Sequence, residues 1–307
     1  MRAALAITAL VTVSLSQNHQ LPSDAQVAPI KQFDVGTFLE GVVFDRDGFG
    51  YVSAVREGAI YKFRPGGAPV LWAESARPSG HKILSDGTHV VADRTEDAII
   101  QFDADGRRQG AVSLSEGVSL QSPNDITPDA RGGYYFTDMK DSYRNGPNGE
   151  VHHVDERGSV RTVAAGLSAP NGLVLSPDAK TLYVSESRTN HVLAFSVTDS
   201  GALKDKKTLA DLSEEGDSSQ AVLDGMTVDQ SGIIYVAFTR LGVYALSPSG
   251  DVVAKFSSGM RIVANVAFAP DSDLLFVVGS SVERTKGSVY VLELPGIRGV
   301  SLAQRDE

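Results

Sequence analysis

Apolar and polar residues alternate in short runs, cut by Gly, Pro and Asp, along almost the whole chain. The stretch "EGVVFDRDGFGYVSAV" from Glu40 reads as a strand, an Asp-containing turn and a second strand rich in Val and Tyr. The phrase returns as "HKILSDGTHVVAD" from His81, "NDITPDARGGYYFTD" from Asn124 and "NGLVLSPDAKTLYVSES" from Asn171. It returns twice more, as "DGMTVDQSGIIYVAF" from Asp224 and "NVAFAPDSDLLFVVGS" from Asn265. After most of these pairs come a polar loop and two further strands, as in "GAIYKFRPGGAPVLWAES". Four strands per unit of about 40 to 50 residues, six times over, predict an all-β, six-bladed β-propeller. No long run of helical periodicity competes.

The sixth unit ends in "GSVYVLELPG" without a fourth strand, whereas "APIKQFDV" (28–35) precedes the first unit with no partner of its own. Pairing this N-terminal strand onto the sixth blade closes the ring and removes an exposed edge. The propeller is thus expected over residues 27–307. Residues 1–26 carry one Arg, an apolar run and then a polar stretch. That order predicts a signal peptide ending near Gln17 followed by an N-terminal tail, and so a secreted or periplasmic protein; the alternative is a ragged N-terminal helix or tail on a cytoplasmic one.

Charge narrows the partners. A net charge of −10 without basic runs argues against nucleic acid or an anionic membrane, and leaves a small-molecule substrate. The absence of cysteine excludes disulfides, a thiol nucleophile and Cys-ligated zinc. There is no G-x-S-x-G elbow, H-E-x-x-H helix or phosphate-binding glycine loop. Nothing in the pattern specifies an oligomeric state.

Innermost strands of a propeller line a central channel, so the residue opening each should sit at one mouth. Those residues are Glu40, His81, Asn124, Asn171, Asp224 and Asn265. Five of the six bear oxygen donors, the set a hard divalent cation selects. Calcium fits it best, with Mg2+, Mn2+ or Zn2+ as alternatives; one histidine is thin support for zinc. Asp224 and His81 are the candidates for the acid–base group. His152 and His153 alternate faces within an outer strand, "GEVHHVDERG", and read as structural.

The segments "LEGVVFD", "SPNDITPD", "APNGLVLSPDAKTLYVSES" and "LDGMTVD" resemble signature segments of the gluconolactonase, senescence-marker-protein and luciferin-regenerating-enzyme family. The resemblance implies a calcium-dependent propeller that opens a lactone ring. It implies metal ligation by Glu40, Asn171 and Asp224, with Asn124 a further ligand or a substrate contact. It also implies that Asp224 acts as base or nucleophile. Two departures stand out. Sugar-lactonase members often carry an arginine where this chain has Ser122, and few have a histidine like His81. Phosphotriester cleavage, a strictosidine-synthase-like condensation or a non-catalytic interaction propeller are the alternatives on the same fold.

Loops joining second to third strands should open at the same mouth. Each carries an arginine: Arg56, Arg94, Arg144, Arg188, Arg240 and Arg284. These could steer an anionic substrate, or simply pair with Glu57, Glu96, Asp97, Asp138, Asp141, Glu186 and Glu283 on the same loops. The third-blade loop is the longest. Its Tyr143 and Arg144, with Arg188, are expected to contact substrate.

Overall fold

Each blade is an antiparallel four-stranded sheet, and in the first five the strands lie in chain order. The computed structural model describes residues 21–215 and 220–300, so the expected signal peptide lies outside the described residues. The innermost strands are Leu39–Phe44, Pro78–Ile83, Pro123–Pro128, Pro170–Leu175, Leu223–Val228 and Ile262–Phe268. The inner strand of each blade packs against that of the next around the channel. The outermost strands, such as Val70–Glu74 and Arg108–Val112, face water along one side.

Closure follows the expected route. Ile30–Asp34 pairs antiparallel with Gly287–Glu293 and supplies the fourth strand of blade six. Contacts begin ahead of residue 27, the start expected from the sequence: Leu21 packs on the core, and Asp24 accepts the Ser257 N–H at 2.9 Å. Among the described residues no helix is long and apolar enough to cross a membrane.

The core lies between blades. Val174, Tyr183 and Val192 of blade four interdigitate with Met226, Val236 and Phe238 of blade five, all buried. Each such side chain contributes about 1.5–3 kcal/mol through burial. Aspartates in the hairpin turns lock successive strands together. Asp45 Oδ1 accepts the N–H groups of Asp47 and Phe49 at 3.0 and 2.9 Å, while Oδ2 accepts the Tyr51 hydroxyl. Asp229 repeats this with Ser231, Ile233 and Tyr235. In blade three the partner of Asp129 is His153 Nε2, at 2.7 Å, and His152 stacks on Phe136. Both histidines are thus built into the blade, as their alternation suggests.

Candidate active site

All six blades break register between first and second strands at one level. The shifts fall between Glu40 and Val42, Pro78 and His81, Pro123 and Ile126, Pro170 and Leu173, Leu223 and Met226, and Val263 and Asn265. A bulge frees the residues inside it from the ladder and re-aims their side chains. In blades three, four and five the freed residues include Asn124, Asn171 and Asp224; in blade one Glu40 flanks the freed Gly41. Glycine next to these positions lets adjacent inner strands close up. A Cβ on Gly172 would lie 2.5 Å from the Asp224 carbonyl oxygen, and one on Gly225 would lie 2.3 Å from Asn265 Cγ.

Glu40, Asn124, Asn171 and Asp224 meet in one cavity of about 450 Å³, which Tyr143 also lines. All four are buried. Burial pushes the Glu40 carboxyl up to about 7; Arg94 pulls it back and the buried Asp125 adds to the rise. Asp224 is held well above the usual carboxylate range by burial, then by Glu40 and Asp125, with Arg94 and Asn171 opposing. Its Oδ1 is buried without a hydrogen-bond partner. Two carboxylates this close and this dry are costly unless a cation compensates them.

Asn171 is oriented by its neighbours. Its Nδ2 donates to Ser187 Oγ at 3.0 Å, and Ser187 donates its own proton to the Leu223 carbonyl at 2.6 Å. With that hydroxyl proton committed, the amide must present Nδ2 to Ser187, which leaves Oδ1 as the free donor atom. Asn124 makes no side-chain hydrogen bond among the described residues. Two carboxylates and two amide oxygens fit a hard divalent cation of flexible geometry. Among the described residues no three His, Cys, Asp or Glu side chains group around one point, so the amides would be needed to complete the shell.

The structure corrects two sequence placements. His81 lies beyond the bulge of its blade, fully buried, with Nε2 2.9 Å from His89 Nδ1 and its ring stacked on Trp72. Burial, then His89 and Lys82, hold it well below the usual histidine range, and it does not line the cavity. The blade-two residue at the level of Asn171 is Ser79, whose buried Oγ is unpartnered. Pro78-Ser79-Gly80 matches Pro170-Asn171-Gly172, a phase that would have revealed it. Asn265 is one position too deep: Ala264 is the residue inside the bulge, and Asn265 Nδ2 donates to Asp125 Oδ2 at 3.4 Å inside the channel.

At the rim, Tyr143 lines the cavity but Arg144 and Arg188 do not. Arg188 Nη1 donates to the Ser142 carbonyl at 3.1 Å and so braces the third-blade loop. Arg94 reaches across from blade two, its Nε held by Ser122 Oγ at 3.2 Å. Arg77, on a loop entering an inner strand, also lines the cavity and was not anticipated. A second, largely apolar cavity of about 360 Å³ lies at the other end of the inner strands and contains none of the four donors.

The family model for the SMP-30/Gluconolactonase/LRE-like region matches residues 17–281. A gluconolactonase of Zymomonas mobilis is 30% identical over 216 residues, 66% of this chain, and the match spans only 60% of that relative's length. A lactonase drp35 of Staphylococcus saprophyticus is 26% identical over 297 residues, covering 91% of this chain and 90% of that one. Among solved structures, a gluconolactonase of Xanthomonas campestris superposes with a TM-score of 0.77 at 24% identity, covering 89% of this chain and 91% of its own.

Proposed function

The chain belongs to the SMP-30/gluconolactonase/LRE-like family, and from that premise we propose that it is a lactonase that works with a divalent cation, calcium by its donor set. The observation that carries this is the unpartnered Asp224 Oδ1 beside Glu40, with the Asn171 amide oxygen turned free by Ser187. Lactonase and gluconolactonase relatives support the reaction class. Glu40, Asp224 and Asn171 would hold the ion, with Asn124 a further ligand or a contact to substrate. When bound, such an ion supplies Lewis-acid stabilisation of negative charge growing on a lactone carbonyl oxygen.

The remaining work falls to the chain's own groups. Asp224 accepts a proton from the attacking water at a carboxylate oxygen, from its place in the cavity beside Glu40. Arg94, fixed by Ser122, presents its remaining N–H groups to the substrate from blade two. Tyr143 lines the cavity from the third-blade loop and offers its ring to the substrate. Ring opening leaves the hydroxyl on the same product molecule as the new carboxylate.

A panel of neutral and charged lactones, assayed with calcium and with chelator, tests this reading. Hydrolysis that vanishes on chelation and returns with calcium is expected. Turnover indifferent to chelation would refute the metal role, and no turnover of any lactone would refute the reaction class.

A further inference from the structure

Among the described residues, five arginines line the cavity, Arg56, Arg77, Arg94, Arg240 and Arg284, with two carboxylates, Glu40 and Asp224. The excess is positive before any cation is added, inside a protein whose net charge is −10. Several acidic residues on the loops at this mouth are engaged elsewhere. Glu96 takes Arg108 in a bidentate pair at 2.7 and 2.9 Å. Asp138 accepts the N–H groups of Gln121, Ser122 and Lys140. Glu186 accepts the Ser168 N–H and the Thr189 hydroxyl, and Asp141 accepts the amides of Asn145 and Asn148. Among the described residues no ion pair joins any of the five arginines to a carboxylate.

The side-chain contacts of Arg94, Arg56 and Arg284 are to neutral groups. Arg94 donates to Ser122, Arg56 Nη1 donates to the Arg284 carbonyl at 3.2 Å, and Arg284 lies over the Phe38 ring at 4.6 Å. Arg240 Nε is buried with no partner, on a backbone held at φ 71°. Five like charges around one cavity repel each other, and a neutral substrate would leave that repulsion standing. The guanidinium fork matches a carboxylate or phosphate through paired N–H bonds. A locally positive basin also draws an anion toward a protein that would otherwise repel it.

We infer that the substrate is a lactone bearing a second, anionic group, a carboxylate or a phosphate, received by Arg77, Arg94 and Arg284 while the ring faces Glu40 and Asp224. This rests on the lactonase reading above. Water adds to the acyl carbon, the ring C–O bond breaks, and one proton is released as the hydroxy acid leaves with one more negative charge than the lactone.

The test compares kcat/KM for 6-phosphogluconolactone, a glucarate lactone and neutral gluconolactone, on wild type, Arg77→Gln, Arg284→Gln and the remote surface control Arg157→Gln. At least tenfold preference for one or both anionic lactones is expected, and which is preferred identifies the anion. That preference should shrink at least fivefold in Arg77→Gln and Arg284→Gln, stay unchanged in Arg157→Gln, and weaken as salt rises. Equal kcat/KM for charged and neutral lactones overturns the inference and leaves the lactonase reading standing. If no lactone turns over, calorimetry with the open-chain acids decides it: 6-phosphogluconate and glucarate should bind at least tenfold more tightly than gluconate, and equal binding overturns it.

Discussion

Ser187 makes the orientation of Asn171 testable without touching any proposed ligand. In Ser187→Ala the Asn171 Nδ2 loses its acceptor and the Leu223 carbonyl loses a donor. A typical buried hydrogen bond contributes about 1 kcal/mol net, and leaving its partner unsatisfied costs about 1–3 kcal/mol. The variant should therefore lose about 2–4 kcal/mol of stability in denaturant melts. The second effect is the diagnostic one. Without Ser187 the amide can present either oxygen or nitrogen to the cavity, and the lost discrimination is worth about one hydrogen bond, or about tenfold in affinity. Calorimetric titration should show calcium binding weakened about tenfold in Ser187→Ala and largely restored in Ser187→Thr, whose hydroxyl can make both bonds. Calcium affinity within twofold of wild type in a folded Ser187→Ala protein would refute the argument that this hydroxyl aims the amide.

Asp224→Ala should lower kcat by about 10²–10⁴, checked by steady-state hydrolysis; near-normal turnover removes Asp224 from the mechanism. Calcium at a hundred times its Kd should raise stability by about 2.7 kcal/mol over chelated protein, and superimposable melts with and without chelator would contradict the ion site. Burial holds His89 and His152 down at about 4 and His81 well below the usual histidine range, so these bind fewer protons folded than unfolded as pH falls below 6.5. Each should therefore cost about 1.4 kcal/mol of stability per pH unit as pH falls through that window; denaturation with calcium saturating measures it, and a flat profile would be the contrary result.

Much of the fold was legible because apolar alternation, Asp-bearing turns and the repeat length all reflect forces that act within one blade. The convergence of Glu40, Asn124, Asn171 and Asp224 on one cavity was legible too, since each opens an apolar run just where an inner strand begins. His81 was misplaced because it is the polar residue just ahead of the apolar run of its strand, two positions past Ser79, and Asn265 because the bulge of its blade spends one residue where blades two to five spend two. In blade two it spans Ser79 and Gly80, in blade six only Ala264. A bulge has no side-chain periodicity of its own, and only the Pro-x-Gly phase around Ser79 betrays it. Arg77 escaped notice because it enters the cavity from a loop preceding an inner strand, not from the loops after second strands. The commitment of Asp138 and Glu186 to backbone N–H groups was equally invisible, as it depends on how each loop returns upon its own blade.

The closing strand joins the two ends of the chain's history. Ser288 donates its hydroxyl proton to Asp34 across 254 residues of sequence. A ribosome delivers Ile30–Asp34 before any blade exists and its partner Gly287–Glu293 after five blades are complete. Blades one to five can each form from contacts local in sequence, but the ring itself must await a single encounter of very high contact order. The entropy of that closure grows only logarithmically with loop length, about 0.6 kcal/mol per doubling, so the finished ring gives up little stability for its topology. The cost falls on time: until the last strand is synthesised the nascent protein carries a bare sheet edge, the state most open to aberrant pairing with another chain.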